Sequence, residues 1–216
     1  MALPLPAKVP RIIKWYFNKY VWDKFGESQN KKQLFLTFDD GPIPEVTPWV
    51  VETLRSYKAK ATFFCIGDNV RKHPDVLRMA ERDGHTIANH TFNHLNGWKT
   101  PLEKYISNTL KAEEILTEVC RNPIHKLIRP PYGKIKKAQA KTLMNQGYKI
   151  IMYDIVAYDW EQKITPEQCL NKVLKNAKSG SIIVFHDSLK AEKNMKYALP
   201  RVLDKFSKEG YTFEAL

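Results

Sequence analysis

The chain has 216 residues, 43% of them hydrophobic, and a formal charge of +12, which suits one globular α/β domain with a real core. No run reaches the length of a membrane-spanning helix, and the N-terminus lacks the continuous apolar stretch of a signal peptide. The three cysteines, Cys65, Cys120 and Cys169, are odd in number and far apart, which argues against a disulfide framework or a cysteine zinc site.

As given, the chain reads as soluble and without a secretion signal, cytoplasmic or peripheral unless a targeting segment has been trimmed. Its positive charge is uneven. Residues 121–149 hold eight Lys or Arg and no acid, and residues 1–32 hold seven bases against two acids. Such a surface attracts phosphates, nucleic acid, anionic lipid or an anionic glycan, although a solvated lysine-rich face is its commoner meaning.

Taken in chain order, residues 1–32 form an aromatic and basic extension, expected to be helical. Between Ile12 and Phe25 it has nine large apolar or aromatic residues interleaved with Lys14, Lys19 and Lys24. One role for it is an interfacial helix on an anionic membrane or cell wall. The role expected is packing across the domain with its aromatics buried. Residues 33–216 read as a single α/β domain. Strands are predicted at 33–38, 60–66, 85–88, 126–128, 148–153, 181–185 and 211–214. Helices are predicted between them at 45–57, 73–83, 101–120, 135–146, 165–177 and 191–208. Thr165-Pro166 starts one helix, and Gly180 and Gly210 follow the last turns of two others. This alternation implies a parallel sheet with crossover helices, and a small distorted (β/α) barrel accommodates so many units better than an open sheet. One domain of this kind is expected, as a monomer.

In barrels the chemistry gathers where strands end, and here polar residues recur there. The first strand ends in Asp39-Asp40 within "TFDDGP". The third leads into "NHTFNH", with His90 and His94. The fourth reaches "RPPYG", with Arg129, Pro131 and Tyr132. The fifth is followed by Tyr158, Asp159 and Trp160, and strand 181–185 delivers Val184 and His186-Asp187. His90 and His94 are four apart, so on one helical turn they share a face. That spacing alone is a weak metal signal. With Asp40 the pair becomes a three-ligand set that leaves a position open for water. Asp39 then remains beside the site as a base.

"TFDDGP", "HTFNH", "RPPYG", "DW" and "IIVFHD" resemble, in order and spacing, the five motifs of the polysaccharide deacetylases, carbohydrate esterase family four. The resemblance covers residues 33–214. It implies a distorted (β/α) barrel that removes acetyl groups from sugars, most readily N-acetylglucosamine units of peptidoglycan or chitooligosaccharide. By the same resemblance Asp39 is the catalytic base, and Asp40, His90 and His94 hold a divalent ion. Zinc is the first expectation, with cobalt or nickel also accepted by such ligands. Arg129 orients the base, the Tyr132 N–H binds the oxyanion, and His186 is the acid with Asp159 as its partner. Pro131, Tyr132, Tyr158, Trp160 and Val184 are the expected substrate contacts. The chemistry is coherent on its own: an ion acidifies its water and polarises the carbonyl, Asp39 takes a proton, and His186 protonates the amine.

Three positions depart from the family pattern. Val156 stands where an Asp is usual, Tyr153 where Trp is frequent, and Val184 where Leu usually packs the cleft. An acetylxylan O-acetyl esterase and a glycan-binding protein without turnover are the alternatives, and every base and ligand position that the second would lose is filled. Nucleic acid is not an expected partner, because no aromatic-basic RNA motif or helix-turn-helix spacing is present. Of the remaining residues, His85 reads as structural, and His73 and His125 carry no signal. Cys65 reads as a small core residue, Trp98 as core, and Asp187 as a loop cap.

Overall fold

The computed structural model describes residues 6–216. Eight parallel strands curl into a half-barrel: β1 (Gln33–Asp39), β2 (Ala61–Cys65), β3 (Thr86–Asn89), β4 (Leu127–Ile128), β5 (Lys149–Ile150), β6 (Ile155–Val156), β7 (Ile182–His186) and β8 (Thr212–Phe213). The order across the sheet is β5-β4-β3-β2-β1-β7-β6, with β8 paired to the start of β1. Around it lie α1 (Arg11–Tyr16), α2 (Thr47–Ser56), α3 (Gly67–Lys72), α4 (Pro74–Arg82), α5 (Leu102–Val119), α6 (Lys137–Asn145), α7 (Pro166–Leu174) and α8 (Glu192–Lys208). None of the described helices is long and apolar enough to cross a membrane.

The period of two along β1 sorts its residues. Leu34, Leu36 and Phe38 face the helices and join the main core, where Phe38 stacks between Phe63 and Phe185 at 5.1 and 6.0 Å. Thr37 and Asp39 alternate with them and therefore face the barrel axis. β1 is buried from Leu34 to Asp39, as a central parallel strand with both faces covered should be. The register pairs Asp39 with Phe64 on one side and with His186 on the other.

The predicted strand 148–153 shortens to β5, and β6 follows beyond it as a separate strand that the sequence reading did not contain. These two are the edges of the open sheet, and the N-terminal segment supplies both with ladder bonds. Val21 N–H donates to Ile150 O at 2.9 Å and Val21 O accepts from Met152 N–H at 2.7 Å. Val9 N–H donates to Asp154 O at 2.9 Å, and Ala7 O accepts from Val156 N–H at 2.8 Å. Edges covered in this way cannot template pairing with another chain. Asp154, fully buried, ties the strap down by accepting from Lys14 Nζ at 2.5 Å and Ser181 Oγ at 2.7 Å, with Lys8 Nζ at 3.3 Å.

The expected long N-terminal helix is a six-residue turn, α1, with no buried residue. Ile12, Trp15 and Tyr16 of α1 are 68%, 72% and 61% exposed, so the expectation that this helix buries its aromatics fails for them. Burial falls instead on the strap that follows. Trp22 joins Tyr148, Ile150 and Met152, with Phe17 and Tyr20 packed alongside. The helix of 73–83 begins at Pro74, and α3 precedes it as a separate short helix absent from the sequence reading. Thr165 caps α7 through a hydrogen bond from Gln168 N–H as expected, and Gly210 follows the end of α8 with φ 78°. The helix expected at 165–177 ends at Leu174, so Gly180, with φ 86°, belongs to the turn before β7 and not to a helix end. Cys65 is a buried free thiol.

Candidate active site

The C-terminal ends of β1, β3 and β7, with the loops after β4 and β6, surround one cleft of about 540 Å³. Asp40, His90 and His94 meet there, their ligand atoms all within 4.8 Å of one another. The two histidines do not sit on a helical turn. They lie in an irregular loop after β3, brought together by backbone reversals at Thr91 (φ 63°) and His94 (φ 54°). Asp40, Tyr132 and Tyr158 also have positive φ, so four of the six such non-glycine residues among those described line the cleft, and Thr91 lies between its two histidines. Left-handed backbone is costly for these residue types and concentrates where geometry serves a site.

A divalent cation fits this set. Asp40 Oδ1 is buried yet makes no hydrogen bond, lying 3.2 Å from His94 Nε2 and 3.6 Å from His90 Nε2. His90 Nδ1 is 2.8 Å from the Arg129 carbonyl, which can only accept. The proton is therefore on Nδ1, and Nε2 points its lone pair at Asp40 and His94, the orientation a ligating imidazole needs. Burial lowers the His90 pKa to about 4, which keeps the ring neutral. Burial raises the Asp40 carboxyl, but the proximity of His94 and the charges of His186 and His90 outweigh it and hold the pKa below the usual range.

Asp39 is nearly buried and pairs with Arg129, whose Nη1 donates to its Oδ1 at 2.7 Å. Oδ2 has no partner among the described residues. Arg129 is 1% exposed and is held through both terminal nitrogens, while its buried Nε makes no hydrogen bond. Nη1 also donates to Thr37 Oγ1 at 2.7 Å, Nη2 donates to Met152 O at 2.9 Å, and the guanidinium lies 4.1 Å from the Phe64 ring centroid. Thr37 and the Met152 carbonyl carried no sequence signal for this task, since each acts through Arg129 rather than on the cleft.

His186 faces the cleft from the end of β7, with Trp160 packed edge-on at 4.5 Å. Buried Asp159 accepts twice from it, from Nδ1 at 2.9 Å and from the backbone N–H at 2.6 Å. Burial opposes charge on this imidazole, but the charge and hydrogen bond of Asp159, with Asp40 and Asp39 nearby, raise its pKa to about 9. Asp187 is more than a loop cap. It accepts from Gly41 N–H at 3.0 Å and Thr47 Oγ1 at 2.6 Å, which clamps the turn carrying Asp40 to the end of β7. A Cβ on Gly41 would lie 2.0 Å from Asp187 Oδ2, so only glycine fits there.

These features decide the family question together with the comparisons. The polysaccharide deacetylase family profile matches residues 26–151. A peptidoglycan-N-acetylglucosamine deacetylase of Bacillus cereus is 38% identical over 186 residues, 85% of this chain and 86% of that protein. The chain belongs to the polysaccharide deacetylase family. A chitooligosaccharide deacetylase of Azorhizobium caulinodans is 36% identical over 160 residues, 74% of this chain and 76% of that protein. A solved peptidoglycan N-acetylglucosamine deacetylase, in complex with 4-naphthalen-1-yl-N-oxidanyl-benzamide, matches with a TM-score of 0.87 at 31% identity, covering 96% of this chain and 95% of that one. The polysaccharide deacetylases depend on a metal, and the Asp–His–His set here suits one.

Of the expected substrate contacts, Tyr132, Tyr158, Trp160 and Val184 line the cleft. Pro131 does not: it is buried in the turn Pro131–Gly133, and the cleft wall is its neighbour Pro130. Trp98, expected in the core, is 60% exposed, with its Nε1 donating to Ile135 O at 3.3 Å. Tyr158 and Trp160 stack on each other at 5.2 Å and offer an aromatic face beside His186.

Proposed function

We propose that this deacetylase removes the acetyl group from N-acetylglucosamine units of a glycan such as peptidoglycan or a chitooligosaccharide. One divalent cation is held by Asp40, His90 and His94, with Asp39 as base and His186 as acid. The observation that carries the assignment is the register partnership of Asp39 and His186 on neighbouring strands. It aims a base and an acid, each fixed by its own buried partner, at one cleft beside the cation set.

The cation supplies Lewis acidity toward the acetyl carbonyl and toward a water molecule. Arg129 occupies Oδ1 of Asp39 and leaves Oδ2 to accept a proton from the attacking water. His186 gives Nδ1 to Asp159, so the proton it delivers to the departing amine nitrogen leaves from Nε2. The Tyr132 backbone N–H is the oxyanion donor in this scheme. The relative's N-oxidanyl-benzamide ligand adds support, because an N-hydroxy amide offers two oxygens to one cation. The two relatives named for N-acetylglucosamine and chitooligosaccharide substrates support the choice of sugar.

A panel of acetylated glycans tests this, with acetate release followed under added zinc, cobalt or nickel. The expected result is release from N-acetylglucosamine oligomers. Release confined to acetylxylan would make the chain an O-acetyl esterase, and binding without release would make it a glycan-binding protein.

A further inference from the structure

Beside the catalytic cleft lies a second cavity of about 320 Å³. Ile13, Phe17 and Trp22 of the N-terminal strap form one side of it, and Trp98, Ile135 and Met152 the other. It borders the same four residues as the cleft, Gly133, Tyr153, Val156 and Tyr158, so the two spaces adjoin along that rim. The rim stays low because Gly133 has no side chain. A Cβ there would lie 3.0 Å from Tyr153 Oη and 3.5 Å from Met152 Cε. Its chemistry is hydrocarbon at the point that matters, since Val156 stands where a carboxylate is usual in the family. Tyr153 is likewise smaller than the Trp of the pattern. Both departures lie on the shared rim, one making it less polar and the other more open.

An apolar space continuous with a cleft that cuts acyl groups from amino sugars suits one part of a substrate above others, namely the acyl chain. We infer that the cavity receives the alkyl chain of N-acyl groups longer than acetyl, so that this enzyme also hydrolyses N-alkanoyl amino sugars. The inference rests on the deacetylase reading above. The step is the same hydrolysis: water adds to the acyl carbonyl carbon and the C–N bond breaks. The acid leaves as an alkanoate, and the proton shed in its formation goes with one from His186 to the amine. No oxidant or co-reactant enters.

The test uses the full zinc-loaded chain on glucosamine oligomers carrying N-acetyl, N-butanoyl, N-hexanoyl or N-octanoyl groups, with release of free amine as the readout. A buried methylene contributes about a fourfold gain, so kcat/KM should climb by about that factor per added methylene until the cavity is full. Ile13→Glu and Ile135→Trp, which charge or fill the cavity without touching the cleft, should abolish the climb and leave the acetyl rate within about twofold. Trp fluorescence of the cation-free protein, titrated with N-octanoylglucosamine and N-acetylglucosamine, should show the longer chain binding more tightly in the wild type alone. Acetyl release with rates flat or falling along the series overturns the inference and leaves the deacetylase reading intact. A climb seen only after deletion of residues 1–5 also overturns it and gives the cavity to the chain's own N-terminus. No amine released from any substrate overturns both.

Discussion

Replacing Asp159 by Asn should move the alkaline limb of deacetylation by more than two pH units. In the structure Asp159 is the group that favours the charged form of the His186 imidazole. Its two oxygens accept from Nδ1 and from the backbone N–H, and its charge offsets the burial that would otherwise keep the ring neutral. The rise from 6.5 to about 9 corresponds to about 3 kcal/mol in favour of the imidazolium. An amide removes the charge and offers one acceptor to two donors, so burial prevails and the pKa returns to 6.5 or below. At pH 8 the protonated fraction then falls about 30-fold, and the rate of N-deacetylation with it. A cation on Asp40 cancels that carboxylate's share in both proteins and lowers both limbs, but the contribution of Asp159 remains. The assay is kcat/KM for acetate release from a chitooligosaccharide between pH 6 and 10, with the metal content of both proteins measured. Stability offers a second readout. A histidine raised above its unfolded value stabilises fully below about 6.5, and that contribution disappears as pH rises through about 9. Wild type and variant should therefore approach each other in stability above pH 9. An alkaline limb that stays in place in Asp159→Asn would refute the assignment of His186 as the acid tuned by this carboxylate.

Asp39→Asn should keep its metal and lose about 10²–10⁴-fold in kcat, because an amide cannot accept the proton of the attacking water. A rate within a few-fold of wild type would reduce Asp39 to a turn residue. Trp22→Ala removes the one fully packed ring of the strap that closes the sheet edges, and should cost about 3 kcal/mol in urea-induced unfolding. An unchanged midpoint would mean that the strap adds nothing to the fold. The same variant should leave metal content unaltered, since Trp22 does not line the catalytic cleft.

Strand β1 was legible in outline because its apolar run ends on two acids, and that punctuation survives any tertiary context. The ends of β3 and β7 could be read for the same reason. The loop that brings His90 and His94 together could not, since their meeting depends on positive φ at Thr91 and His94 rather than on a helical turn, a conformation that neither residue type announces. The strap escaped for a different reason. Its pattern of aromatics and lysines fits an amphipathic helix, yet Lys14 turns inward to buried Asp154 while Trp15 and Tyr16 face solvent. Asp154 itself looks like any polar residue after a short strand, and its pairing with Lys14 spans 140 residues. Trp98 was assigned inward on residue type alone, and the local turn Gly97–Lys99 holds it outward. What pattern cannot supply is the long-range partner, and Asp187 with Gly41 and Thr47 is the clearest case.

In the proposed scheme a cation on Asp40, His90 and His94 drives hydrolysis of an N-acetylated glycan. Titrating chelator-treated protein with zinc tests it most directly, with bound metal by elemental analysis and acetate release from an N-acetylglucosamine oligomer read in parallel. Activity should return as occupancy approaches about one ion per chain, and His90→Ala and His94→Ala should regain neither. Acetate release from the chelated protein at the full rate, or full occupancy in both histidine variants, would contradict it.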